Sequence, residues 1–90
     1  MTFEVKIKKE AIKALKSLPK ANLRKFLELK DALRYEAVPR DKFDIIKLKG
    51  SGDLDIYRVR IGEYRVIYSV NWKARRILIH KVKKREDAYK

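Results

Sequence analysis

The stretch at residues 56–70, IYRVRIGEYRVIYSV, constrains the fold more than any other, because it leaves little freedom of register. Gly62-Glu63 is a Gly-X pair that suits a two-residue type II′ hairpin loop. That loop places Ile61 opposite Tyr64, Arg60 opposite Arg65, Val59 opposite Val66, Arg58 opposite Ile67 and Tyr57 opposite Tyr68. Strand side chains alternate between faces. One face then carries Tyr57, Val59, Ile61, Tyr64, Val66 and Tyr68, which is a core pattern. The other carries Arg58, Arg60 and Arg65, followed by Ile67 and Ser69. Like charges directly opposed across strands disfavour a sheet by roughly 0.2–1 kcal/mol, so folding alone does not ask for Arg60 against Arg65. Either this is a solvated basic face on a chain that is basic throughout, or it is an anion-binding surface whose repulsion is relieved when a phosphate arrives.

The remaining segments supply partners for that hairpin. FEVKI (residues 3–7) alternates apolar and charged positions and predicts a first strand. In KKEAIKALKSL, Ile12, Leu15 and Leu18, with Ala11 and Ala14, form a helical stripe. Pro19 ends that helix or opens the next. KANLRKFLELKDALRYE follows, with Leu23, Phe26, Leu27 and Leu33 predicted on one face. Pro39 and the bias of the residue before it break the helix. IIKLKG (residues 45–50) is a short strand, SGD a turn, NWKA (residues 71–74) a second turn, and RRILIHKV (residues 75–82) a last strand. A four-residue turn at NWKA pairs Tyr68 with Ile77 and Val66 with Ile79. The tail KKREDAYK is too charged for a core strand. Strand, helix, helix and then hairpin-linked strands predict an α+β fold: an antiparallel sheet of four to five strands with a helical hairpin on one face. The arginine face is left open. At 90 residues the chain is expected to form a single domain, residues 1–90.

Charge narrows the partners. Twenty-five Lys and Arg against 12 Asp and Glu give a net charge of +13, which favours nucleic acid, an anionic membrane surface or an acidic protein. No apolar run is long enough to span a bilayer, and the N-terminus MTFEVKIKKE predicts no signal peptide. Without cysteine and with one histidine, neither disulfides nor a zinc site is expected, and no cofactor is implied. The absence of Gln beside abundant Lys, Arg and Glu fits a thermophilic composition. No Cys nucleophile, His pair or glycine-rich phosphate loop is present. His80 titrates near neutrality and by this register lies on the open face beside Arg65; it is either a general base or a partly buried histidine at a sheet edge. Tyr57, Tyr64 and Tyr68 read as packing, and Trp72 as the cap of a core edge. Tyr89, in a polar tail, is a candidate for stacking on a base. An enzyme built from such residues works mainly with cations, which suit phosphoryl transfer. RNA needs no external nucleophile, because its 2′-hydroxyl adjoins the phosphate.

The layout, and above all YRVRIGEYRVIY followed further on by KKRE and a Tyr near the end, resembles the RelE toxins of the RelE/ParE superfamily across nearly the whole chain. The resemblance implies a microbial-RNase-like sandwich and the toxin of a type II toxin–antitoxin pair. Its implied activity is ribosome-dependent cleavage of mRNA in the A site, through 2′-hydroxyl attack that leaves a 2′,3′-cyclic phosphate and a 5′-hydroxyl. Arg58 and Arg60 match the family's alternate basic pair, Arg65 the next Arg, Arg85 the C-terminal Arg and Tyr89 the Tyr. By resemblance, Arg60, Arg65, Arg85 and Tyr89 are the catalytic set. Arg65 would stabilise the phosphorane, Arg85 would protonate the departing 5′-oxygen or hold the phosphate, and Tyr89 would orient the base. Arg58, Lys47, Lys49 and Lys84 are the candidate RNA phosphate contacts. The implied partners are the ribosome, mRNA and an acidic RelB-like antitoxin in a hetero-oligomeric complex, and the implied compartment is the cytoplasm.

Two departures stand out. In bacterial relatives the alternate pair is lysine, and one lysine is the proposed proton acceptor. Arg60, with a guanidinium pKa above about 12, is a poor base, which leaves His80, a ribosomal group or water. The Arg85-to-Tyr89 spacing is also shorter than in some relatives. Simple alternation along the last strand puts Arg85 on the core side, so the chain is expected to bend near residues 82–84. The alternatives are a ParE-like gyrase inhibitor, which lacks the nuclease residues, and a non-catalytic RNA- or ribosome-binding module.

Overall fold

A computed structural model describes residues 2–85. The elements run β1 (Glu4–Ile7), α1 (Lys9–Leu15), α2 (Lys20–Leu33), β2 (Asp44–Ser51), β3 (Leu54–Ile61), β4 (Tyr64–Asn71) and β5 (Arg76–Lys84). The sheet has five strands in the order β1-β5-β4-β3-β2. The three pairings among β2 to β5 are antiparallel, as hairpin connections require. β1 joins parallel to β5, because the two helices carry the chain over the sheet before β2 begins. The result is an α+β fold with both helices on one face and a mixed sheet. Among the described residues, no helix is long and apolar enough to cross a membrane.

The β3–β4 hairpin has the register read from Gly62-Glu63. Ile61 faces Tyr64, Arg60 faces Arg65, Val59 faces Val66 and Tyr57 faces Tyr68. Gly62 has a φ of 58°, and Glu63 is not among the residues with positive φ, as a type II′ turn demands. The core lies between this hairpin and the helices. Tyr57, Val59, Ile61, Val66, Tyr68 and Val70 are buried, as are Ile77, Ile79 and Val82 of β5. Tyr57 and Tyr68 stack at 5.4 Å, and the Tyr68 hydroxyl donates to the Ala37 carbonyl at 2.7 Å. That bond anchors the segment between α2 and β2.

The helix stripes differ from expectation by one residue each. From α2 the core receives Phe26, Leu29 and Leu33, while Leu27 is exposed. On α1 it is Ala11 that is buried, with Ala14 and Leu15 packed alongside, and Ile12 is exposed. A residue shares a helix face with neighbours three and four positions away, and a step of one turns it about 100°. Apolar Ile12 and Leu27 lie one step off the stripe that packing selects.

The β4–β5 register also differs. Tyr68 faces Ile79 and Val70 faces Ile77, two residues beyond the pairing expected from a turn at residues 71–74. Asn71 stays in the strand opposite Arg76, its side-chain oxygen accepts the Ala74 amide at 2.9 Å, and Arg75 takes the positive φ of 54° that closes the loop. The Arg75 guanidinium stacks on Phe3 at 4.2 Å. A slip of two preserves the faces, so the core assignment survives it. The last strand also continues into the charged tail, where Lys83 pairs with Arg65 and Lys84 with Tyr64.

Gly62→Ala is expected to cost about 1–2 kcal/mol, because the αL region penalises a Cβ, and an added Cβ would also meet the Asn22 side chain at 2.8 Å. Exposed Glu63→Ala is expected to stay within about 0.5 kcal/mol of the parent. Urea denaturation of the two variants measures the difference.

Candidate functional site

The open face carries one charged row that crosses four strands, basic on three of them. Asp44 on β2 faces Arg60 on β3, Arg60 faces Arg65 on β4, and Arg65 faces Lys83 on β5. Neighbouring strands lie about 4.8 Å apart, so the row extends on the order of 14 Å. Arg58 lies one step along β3 on the same face, opposite Ile46 and Ile67. Together Asp44, Ile46, Arg58, Arg60 and Arg65 line a recess of about 140 Å³.

Arg65 is not on a solvated surface as expected. It is only 5% exposed, and its Nη1 donates to the carbonyls of Gly62 at 3.0 Å and Tyr64 at 2.9 Å. The side chain folds back under the turn that precedes it and satisfies two loop carbonyls with a charged donor. Arg60, opposite, is exposed, and Arg58 is half-buried. The like charges are tolerated because one of them is spent on the hairpin and the other reaches water.

Arg85 arrives at the same end of the sheet by a bulge. Ile67 faces Lys81 while Tyr68 faces Ile79, which leaves His80 as the extra residue. One inserted residue exchanges the faces of everything after it. Val82 is therefore buried, and Lys83 lies on the arginine side. The reversal expected near residues 82–84 takes place at His80. The Arg85 amide then donates to the Glu63 carbonyl at 2.6 Å, which fixes the backbone of Arg85 at the turn. Tyr89 lies outside the described residues.

His80 is not beside Arg65. Its Nε2 is 2.8 Å from the Ser69 hydroxyl, and Ser69 lies four residues along β4 from Arg65, on the order of 13 Å away. Burial pushes the His80 pKa below its usual value and nearby Lys8 adds to this, opposed by Glu10, with Lys81 acting in the same direction as Lys8.

The lysines divide between the faces. Lys47 lies opposite Tyr57 on the helix side and pairs with Asp55 at 3.3 Å. The Asp55 carboxylate also accepts the Trp72 indole N–H at 2.9 Å, and this bond, together with Lys47, holds its pKa below the usual range. An added Cβ on Gly50 would meet the ends of the Asp55 and Lys47 side chains, so a larger residue there would displace that ion pair. Lys84 lies opposite Tyr64 and lines a recess with Ala14, Ser17 and Leu18 beside α1. Lys49 does reach the arginine face, because Leu48 is a second extra residue, but it sits opposite Ile56, far from Arg60. Lys47 and Lys84 are thus removed from the arginine row, and Lys83 and Asp44 join it. The signal for Lys83 was the β4–β5 register and its bulge, which alternation does not reveal. Among the described residues, no group of three or more His, Cys, Asp or Glu is placed to hold a metal ion.

Losing two charge-assisted bonds beneath the turn, Arg65→Ala is expected to destabilise the fold by about 1.5–3 kcal/mol. Exposed Arg60→Ala is expected to change stability by less than about 0.5 kcal/mol. Denaturant midpoints of the two variants check the contrast. The depressed His80 pKa has a defined sign. The unfolded chain binds the proton more readily, so this contribution is present above about pH 6.5 and is lost as pH falls through the lower, folded value. Acidification from about pH 7.5 to 5.5 is expected to destabilise the parent more than His80→Phe, by thermal melts across that window.

Residues 5–89 match the family model described as ParE toxin of type II toxin-antitoxin system, parDE. A Methanocaldococcus jannaschii protein that carries the name "Putative toxin RelE1" is 51% identical over 90 residues, spanning 100% of this chain and 98% of that protein. Among solved structures, the archaeal RelE-RelB complex from Pyrococcus horikoshii OT3 matches with a TM-score of 0.89 at 65% identity, covering 94% of this chain and 97% of that one. The RelB-RelE antitoxin-toxin complex from Methanococcus jannaschii matches with a TM-score of 0.74 at 26% identity, covering 92% and 93%. Matched over nearly its whole length by the family model and by these relatives, the chain belongs to the RelE/ParE superfamily of toxins of type II toxin–antitoxin systems.

Proposed function

We propose that this toxin is an endoribonuclease that cleaves mRNA in the ribosomal A site. The carrying observation is the row of Arg60, Arg65 and Lys83 across adjacent strands, with Arg58 beside it and the Arg85 backbone tied to the turn. Guanidinium forks bind phosphate oxygens two at a time. Arg65 uses Nη1 for the loop carbonyls and keeps donors on Nε and Nη2. A phosphodiester in the recess is met by Arg58, Arg60 and Arg65 together. The 2′-oxygen forms its bond to phosphorus as the bond to the 5′-oxygen breaks, and the guanidiniums stabilise the charge that develops on the phosphorane. Arg85 holds the leaving side or supplies the proton that the 5′-oxygen takes up. Tyr89 is proposed to orient the base. Lys49 is proposed as an outlying phosphate contact, and Lys47 and Lys84 on the other face are suited to the ribosome rather than the reacting strand.

An acidic RelB-like antitoxin is the proposed partner, in a hetero-oligomeric cytoplasmic complex. The solved P. horikoshii and M. jannaschii relatives are RelE-RelB complexes. A net charge of +13 and the exposed apolar side chains Ile12, Leu27, Ile46, Leu48 and Leu54 suit a partner that is both acidic and apolar.

Purified protein added to a translation reaction, with mRNA ends mapped by primer extension, tests this reading. The parent is expected to cut within the A-site codon and to cut naked RNA poorly. Arg60→Ala, which leaves the fold intact, is expected to lower the cleavage rate on the order of a hundredfold. Absence of A-site cuts together with inhibition of gyrase supercoiling would establish the ParE-like activity instead. Ribosome binding with neither effect would establish a binding module.

A further inference from the structure

The arginine recess contains one group that a phosphate-binding site would not select. Asp44 is the first residue of β2, directly opposite Arg60, and it lines the recess with Arg58 and Arg65. Among the described residues it makes no ion pair within 4.0 Å, unlike Asp55 with Lys47 or Glu4 with Arg76. Its oxygens therefore remain available in a pocket that is otherwise cationic. A carboxylate here repels a phosphodiester, so binding alone would favour its removal.

The reaction supplies a reason for it. Cleavage by the 2′-hydroxyl needs a proton acceptor, and a guanidinium has no lone pair to offer. Of the other candidates, His80 bonds to Ser69 on the order of 13 Å along β4 from Arg65. Asp55 is engaged with Trp72 and Lys47 on the helix side, and Glu4 lies on β1, three strands from β3. Among the described residues, Asp44 is the carboxylate that lines the recess a phosphate would occupy.

We infer that Asp44 is the catalytic base of the toxin, accepting the proton of the attacking 2′-hydroxyl within the arginine recess. This rests on the nuclease reading above. The 2′-O–H bond breaks with its proton passing to the Asp44 carboxylate, and the 2′-O–P bond forms. The P–O5′ bond breaks, and the 5′-oxygen takes a proton from water or from Arg85, which regains it from solvent. Asp44 then returns its proton to solvent, so atoms and charge balance without a further reactant.

Single-turnover cleavage on programmed ribosomes, with toxin affinity measured in parallel on mRNA blocked by 2′-O-methylation, tests the assignment. Asp44→Asn is expected to slow cleavage by about a hundredfold or more, in the range of a lost general base, with affinity unchanged or tighter. Asp44→Glu, which keeps the carboxylate, is expected to recover part of the rate. A thermal melt equal to that of the parent shows that the fold is retained, and Asp44→Ser provides a second variant lacking the base. Cleavage by Asp44→Asn within about threefold of the parent would overturn the assignment while leaving the nuclease reading intact. Rate and affinity lost in parallel would overturn it equally, in favour of a structural role. Failure of the parent to cleave at all would overturn the nuclease reading, and this assignment with it.

Discussion

The Arg65 guanidinium folded beneath the hairpin turn is the contact on which the candidate site depends. Two carbonyls of a tight turn, those of Gly62 and Tyr64, point toward a side chain that is almost wholly buried. A buried charge without partners would be costly, and carbonyl dipoles supply them here. The turn so fixed presents Arg60 on one side and the Glu63 carbonyl on the other, where the Arg85 amide docks. Residues distant in sequence are brought to one end of the sheet through this loop. Asn22 on α2 also reaches the same turn, donating to the Ile61 carbonyl at 3.5 Å, so the helix layer supports it from behind.

The second determinant is parity. Two inserted residues, Leu48 in β2 and His80 in β5, decide which cations reach the arginine face. Without the bulge at His80, Val82 would point outward and Lys83 into the core. With it, Val82 is buried and Lys83 completes the row opposite Arg65. Bulges bend and retwist a sheet near its functional surfaces, and here they redirect charge. The Ser69–His80 contact sits at this bulge, which gives the histidine a conformational part in the β5 strand.

Much of this was legible in the sequence where a single local rule governed the outcome. Gly62-Glu63 fixed one turn type, and all five hairpin pairs from Ile61–Tyr64 to Tyr57–Tyr68 followed from it. Helix positions were legible as stripes, but not to the residue, because Ile12 and Leu27 are as apolar as the neighbours that packing prefers. The β4–β5 loop was misplaced by one position, since Asn71 can begin a turn or end a strand, and a positive φ at Arg75 has no signature in residue type. A bulge leaves no mark in composition either, so the side on which Lys49, Lys83 and Lys84 would fall was not accessible to alternation. The burial of Arg65 was hidden for another reason. An arginine in a basic strand reads as exposed unless the loop carbonyls that receive it are already in place.

The central claim is that the recess between β2, β3 and β4 receives the reacting phosphate. It is tested most directly by a cryo-EM structure of the toxin on a ribosome whose A-site codon carries a 2′-O-methyl block at the scissile position. The expected density places that phosphate within hydrogen-bonding distance of Arg60 and Arg65, with the blocked 2′-oxygen facing Asp44. RNA tracking instead along the basic faces of α1 and α2, with the recess open to solvent, would contradict it.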